Sequence, residues 1–222
     1  MKFLKSPTRV PVLAIAGLLA LGACDDDDDL IVPDDTESYA AVLAPMNESG
    51  VTGTVSLTIE DDATFRAEVD AVGLAPEMLH PQHIHFAESC PTVAADANND
   101  GFVDVVEGVP TYGGILVPLD GDLTDQSAGQ PDGFPTATAA GTISFDRTAN
   151  LDAMLADLTA SDPNPDDPVV KLEGDRLRLT TRTVVLHGVS SETELPSSVQ
   201  SIGSAPATLT LPVACGQVVF IG

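Results

Sequence analysis

Met78-Leu79-His80-Pro81-Gln82-His83-Ile84-His85-Phe86, with Cys90 five residues beyond the last histidine, is the stretch on which the reading of this chain turns. In a strand, residues i and i+2 point to the same face, so His83 and His85 offer two imidazoles side by side. The remaining histidine, His187, closes a distant apolar run, Val184-Val185-Leu186-His187-Gly188. A third imidazole from that run can complete a metal site, and imidazole suits copper or zinc.

The sequence around this core divides into a leader, a spacer and one domain. Lys2, Lys5 and Arg9 precede a short apolar run from Val10 to Leu21, too short to span a bilayer, which reads as a secretory signal. It ends in Leu21-Gly22-Ala23-Cys24, a sequence that resembles the bacterial lipobox. That resemblance implies a signal peptide over 1–23, lipidation of Cys24 and a membrane tether at the periplasmic or extracellular face of the cell envelope. Residues 24–38, with the run Asp25 to Asp29, read as an acidic linker. The domain is expected over 39–222.

Charge excludes one large class of partner. The chain carries −25, and loss of Lys2, Lys5 and Arg9 with the leader takes it to −28. Phosphate contacts need Lys and Arg, so nucleic acid is not an expected partner. Divalent cations and high solubility suit such a surface.

With no Trp, few aromatics and many Val, Ala, Thr and Gly, the composition favours strands joined by turns. Val51, Gly53, Val55, Leu57 and Ile59 alternate with Thr52, Thr54, Ser56, Thr58 and Glu60, giving one buried and one wet face. Phe65, Ala67, Val69 and Ala71 repeat the pattern, with Asp61-Asp62 as the hairpin turn between. Strands are expected over 39–45, 51–60, 63–72, 82–87, 139–145, 176–187 and 213–221. Leu151, Met154, Leu155 and Leu158 have helical spacing behind a capping Asn150, predicting one short helix over 149–158. Residues 108–138 and 159–168 read as loop-rich insertions. The expected fold class is all-β: an antiparallel Greek-key sandwich or barrel with long loops.

Residues 96–107 match the twelve-residue calcium loop position for position. Asp96, Asn98 and Asp100 supply oxygens at positions 1, 3 and 5, Gly101 makes the turn, and the Phe102 carbonyl takes position 7. Asp104 and Glu107 follow at positions 9 and 12. Cys90-Pro91 and Gly108-Val109-Pro110 leave no room for two flanking amphipathic helices, so the expected role is a structural calcium ordering a long loop.

The histidine stretch resembles the Leu-His-x-x-His-x-His segment of Cu,Zn superoxide dismutases, which is followed by a disulfide cysteine. Gly50-Val51-Thr52-Gly53-Thr54-Val55, Arg182-Thr183-Val184-Val185-Leu186-His187 and Leu211-Pro212-Val213-Ala214-Cys215-Gly216 resemble further pieces of that family, in order. The resemblance covers roughly residues 39–222. It implies an eight-stranded Greek-key sandwich, copper held by His83, His85 and His187, a structural His80, and a Cys90–Cys215 disulfide. Pairing of the two non-lipidated cysteines is also what export favours.

Four features weigh against activity. No histidine occurs between His85 and His187, so the family's zinc site is absent in its usual form. The calcium-type loop occupies the corresponding stretch. Pro212 stands where the family carries a substrate-guiding arginine, and the acidic surface repels superoxide. A copper-holding domain is therefore favoured over an efficient dismutase. Tyr39 to Gly50, Gly73-Leu74 and His83-Ile84-His85 also resemble bacterial CHRD-type domains. That resemblance implies the alternative, a non-catalytic binding or structural module of the envelope.

Overall fold

Alternation builds the first three strands. In β1 (Glu37–Pro45), β2 (Thr52–Glu60) and β3 (Thr64–Val72), apolar residues at every second position are buried and their neighbours lie at the surface. The three form an antiparallel meander. Asp61 and Asp62, at φ of 50° and 51°, make the tight turn between β2 and β3, as expected. The computed structural model describes residues 36–125, 133–160, 171–172 and 176–222. The expected leader, the lipobox Cys24 and nearly all of the acidic linker lie outside these residues, as do residues 161–168 of the second insertion.

The chain then crosses to a second group of strands: β4 (Gln82–His85), β5 (Ile115–Pro118), β7 (Thr183–His187) and β8 (Pro212–Gln217). Between β5 and β7 it returns to pair β6 (Thr142–Asn150) with β3. Every pairing is antiparallel, and the spatial order is β5-β4-β7-β8-β1-β2-β3-β6, with the short β9 (Val219–Phe220) also against β1. The β1 strand links the halves, pairing with β2 along seven residues and with β8 at Ala44 and Pro45. This is the expected all-β Greek-key architecture.

The two halves differ in how they meet water. β4, β7 and all but the last residue of β8 are buried throughout, so their sequences read as continuous runs rather than alternations. Ile84, Val184, Leu186 and Ala214 join the main core with Leu57, Phe65 and Val69. Val185 and Cys215 face the other way, into a second cluster with Met46, Val103 and Tyr112. The histidines belong to that second face.

Several element boundaries differ from the sequence expectation. The 176–187 segment is strand only from Thr183, behind a 3-10 turn at Leu179–Thr181. β4 ends at His85, and 213–221 divides into β8 and β9. β6 begins at Thr142, later than expected, and runs straight into helix α2 (Leu151–Thr159). Asn150 caps that helix, its Oδ1 accepting from the Ala153 amide at 2.9 Å. Two elements were unforeseen within the loop-rich insertion or at its edge: β5 and helix α1 (Val105–Tyr112). A last short helix, α3 (Ala207–Thr210), precedes β8.

Candidate metal centre

Strand periodicity delivers the first two ligand candidates. Ile84 points into the main core, so His83 and His85 point to the opposite face of β4. His83 pairs with Val185 of β7, which in turn pairs with Cys215 of β8. His187 ends β7, where the register to β8 shifts between Leu186 and His187. A second irregularity, toward β5, falls between Ile84 and His85. Irregularities of this kind re-aim side chains, and here both lie at the histidines.

The result is a compact cluster. The nitrogens of His83, His85 and His187 lie within 4.8 Å of one another, and among the described residues no other set of three His, Cys, Asp or Glu does so. Ring centroids are 5.6 Å apart for His83–His85, 5.2 Å for His83–His187 and 5.9 Å for His85–His187. All three side chains are buried.

The hydrogen bonds set which nitrogen of each ring is free. His85 Nδ1–H donates to the Gly113 carbonyl at 3.0 Å, and His187 Nδ1–H donates to the Thr210 carbonyl at 2.8 Å. A carbonyl only accepts, so in each ring the proton sits on Nδ1 and Nε2 carries a lone pair. Those two Nε2 atoms, together with His83 Nδ1, are buried and have no hydrogen-bond partner. Buried nitrogens are rarely left this way, and three together fit a single cation.

Electrostatics points in the same direction. Burial pushes the His83 imidazole well below its ordinary range, with His187 and His85 adding to the effect. Burial, then the neighbouring His187, lowers His85 to about 3. Burial lowers His187 to about 4, against the opposing bond to Thr210. Near neutral pH all three rings are neutral, the form that ligates a metal.

His80 lies at the end of β7, next to the three-histidine cluster. It is fully buried, its Nδ1 lies 3.0 Å from the His187 carbonyl oxygen and its Nε2 3.0 Å from that of Ala75. It thereby clasps the end of β7. Gly188, at φ +105°, makes room for it: a Cβ there would stand 3.1 Å from His80 Nδ1.

Cys90 and Cys215 are joined, with Cα atoms 5.8 Å apart across 125 residues of sequence. The bridge ties the exit of β4 to β8, behind Val185. Such a bond marks an oxidising compartment. Among the described residues no helix is long and apolar enough to cross a membrane.

The calcium-type loop folds back on its own amides. Asp96 accepts from the Asp100 and Gly101 amides, Asn98 from Asp100, and Asp100 from Phe102 and the Ser198 hydroxyl. Glu107 Oε1 accepts from Ala97 and Asn98. Asp104 caps α1, taking the Val106 and Glu107 amides on Oδ1 and the Gln200 amide on Oδ2, while Glu107 reaches back to the Asp104 amide. One helix therefore leaves the loop directly, although no helix longer than a 3-10 turn, Val93–Ala95, enters it.

Sequence reasoning missed the groups that hold the rings. Tyr112 packs edge-on against His85 at 4.5 Å, Phe134 packs against His83 at 5.1 Å, and the Gly113 and Thr210 carbonyls orient two imidazoles. Val105, Val109 and Tyr112 do have helical spacing, which was the available signal.

No protein-family model matches the chain, and no characterised protein matches it in sequence. Solved structures do. Superoxide dismutase 5 of Candida albicans in its Cu(II) form aligns at 14% identity and a TM-score of 0.41, over 84% of this chain and 94% of that one. A superoxide dismutase-like protein from Bacillus subtilis aligns at 14% identity and a TM-score of 0.38, over 80% and 96%. The clock protein EA4 aligns at 16% and 0.42, over 83% and 94%.

Proposed function

We propose that this chain is an exported, lipid-anchored, superoxide dismutase-like domain that holds one copper ion on His83, His85 and His187. The observation that carries the reading is the set of three buried, unpartnered imidazole nitrogens. For a given nitrogen site Cu²⁺ binds more tightly than the other first-row divalent ions, which favours copper over zinc. Bound copper supplies one-electron redox chemistry. The chain's own residues hold the ligands neutral, fix two tautomers through Gly113 and Thr210, and surround the rings with apolar side chains. The Cys90–Cys215 bridge supports export, and Cys24 is the proposed site of the lipid.

In this reading the 96–107 loop takes a structural calcium ion, with Asp96, Asn98, Asp100, the Phe102 carbonyl, Asp104 and Glu107 as the donors. Its support is the twelve-residue spacing. Calorimetry with millimolar Ca²⁺ tests it, and absence of heat and of any shift in unfolding temperature rejects it.

Metal content after periplasmic expression tests the copper. One equivalent is expected in the wild type and none in His187→Ala. A well-folded wild-type protein that takes up neither copper nor zinc rejects the metal reading and leaves the CHRD-like binding module.

A further inference from the structure

The three histidines lie at an apolar cavity of about 630 Å³. Val105 and Val109 of α1, Ile115 of β5, and Phe134, Ile202 and Leu209 from three other segments are among the apolar residues of its wall. That volume falls in the range of small-molecule sites, which are mainly apolar with a few placed polar groups.

The cavity is badly suited to a small anion. Six basic residues follow Cys24: Arg66, Arg147, Lys171, Arg176, Arg178 and Arg182. None lines it. Arg66 is held by Glu68 and Asp146, and Arg182 donates to the Leu177 and Phe86 carbonyls at the far end of β7 from His187. An anion approaching this acidic chain meets repulsion and finds no basic side chain at the cavity wall. An apolar ring meets apolar walls and the edges of aromatic rings.

One polar requirement remains. The imidazoles of His83, His85 and His187 line the cavity, and a ligand with one hydroxyl meets them better than a purely apolar occupant does. A carboxylate would bring an uncompensated charge into the apolar space of the metal-free cavity. We propose that the cavity binds a small, neutral, ring-containing molecule with one hydroxyl, of the phenol class, its oxygen turned toward His83, His85 and His187. For that oxygen's partner the inference rests on the metal-centre reading, but occupancy of the cavity can be measured with or without metal.

The test is titration of phenol into the full chain, metal-free and Cu²⁺-loaded, followed by calorimetry and by the visible absorption of the copper form. Phenol is expected to bind one site at about millimolar Kd or tighter, which is within reach of seven heavy atoms. Benzoate should bind the metal-free protein at least about tenfold more weakly, a difference of roughly 1.4 kcal/mol. In the copper form phenol should shift the absorption band. Ala205→Trp and Ile202→Trp, which place bulk at the cavity wall, should each weaken phenol binding about tenfold or more without changing copper stoichiometry. Failure of phenol to bind either form overturns the proposal, as does benzoate binding the metal-free chain as tightly as phenol. Undiminished phenol binding by both folded tryptophan variants does the same. Phenol binding in a chain that takes up no copper supports the cavity and rejects the metal, whereas copper uptake without phenol binding does the reverse.

Discussion

His85 is turned by Gly113. The ring's Nδ1–H donates to the Gly113 carbonyl at 3.0 Å, and this one bond leaves Nε2 as a bare lone pair beside two other imidazoles. A main-chain carbonyl thus decides what a side chain can ligate, and the neutrality of the ring follows from the burial that surrounds both.

That neutrality makes the metal-free protein sensitive to acid. The folded values of His85 and His187 are about 3 and about 4, and His83 is also depressed, against an ordinary histidine value of about 6.5. Between those limits the unfolded chain binds more protons than the folded one, so stability falls as pH drops. The full contribution is present above about pH 6.5 and is lost on acidification toward pH 3–4, by several kcal/mol in order of magnitude. Urea midpoints measured from pH 7 to pH 4 should show this slope, and His187→Ala should show a shallower one.

The Cys90–Cys215 bridge closes a segment of 125 residues. In the chain-entropy model such a loop is worth ~5 kcal/mol. Reduction, or Cys90→Ser with Cys215→Ser, should lower the urea midpoint accordingly, and a reduced protein with an unchanged midpoint would contradict the account.

Gly188→Ala should weaken the site from outside it. The φ of +105° strains any residue with a Cβ, and that atom would press on His80 Nδ1 at 3.1 Å. A loss of about 1–3 kcal/mol in stability is expected. Because His80 contacts the His187 carbonyl, copper affinity measured by competition with a chelator should fall as well.

Tyr112 separates packing from hydrogen bonding. Its hydroxyl donates to the Val105 carbonyl at 3.3 Å, a long bond, while its ring is fully buried against His85. Tyr112→Phe should cost about 1 kcal/mol or less, and Tyr112→Ala about 3–5 kcal/mol. Thermal unfolding of the two variants checks the contrast.

Asn150→Ala serves as the contrasting case. It removes the cap of α2, which packs on the other half of the barrel, and should cost about 1 kcal/mol with copper binding unchanged. A loss of copper in this variant would show that global stability, rather than local geometry, governs the site.

Much of this was legible in the residues. The alternation of Val55 and Leu57 with Thr54, Ser56 and Thr58 has one sheet solution, and Asp61-Asp62 and Asn150 carry their turn and cap chemistry openly. His83, His85 and His187 were legible too, because a period of two and the end of an apolar run place them. Helix α1 was not. Gly108 and Pro110 argue against a helix by about 1 and about 3 kcal/mol. The capping box of Asp104 and Glu107 and the burial of Tyr112 outweigh them. Gly108 is itself required, since a Cβ there would stand 2.7 Å from the Tyr112 hydroxyl. β5 was hidden by its length of four residues. The carbonyls of Gly113 and Thr210 leave no mark in a sequence, because every residue has one.

In mechanical terms α1 is a strut. Eight residues span about 12 Å. Its foot is set in the carboxylates of the 96–107 loop through Asp104 and Glu107, and its head presents Tyr112 and the Gly113 carbonyl to His85. Asp104 also anchors the Gln200 amide, two residues from the cavity wall at Ile202. The surface loop and the buried imidazole therefore share one rigid part, and the stiffness of the inner site is borrowed from the outside of the protein.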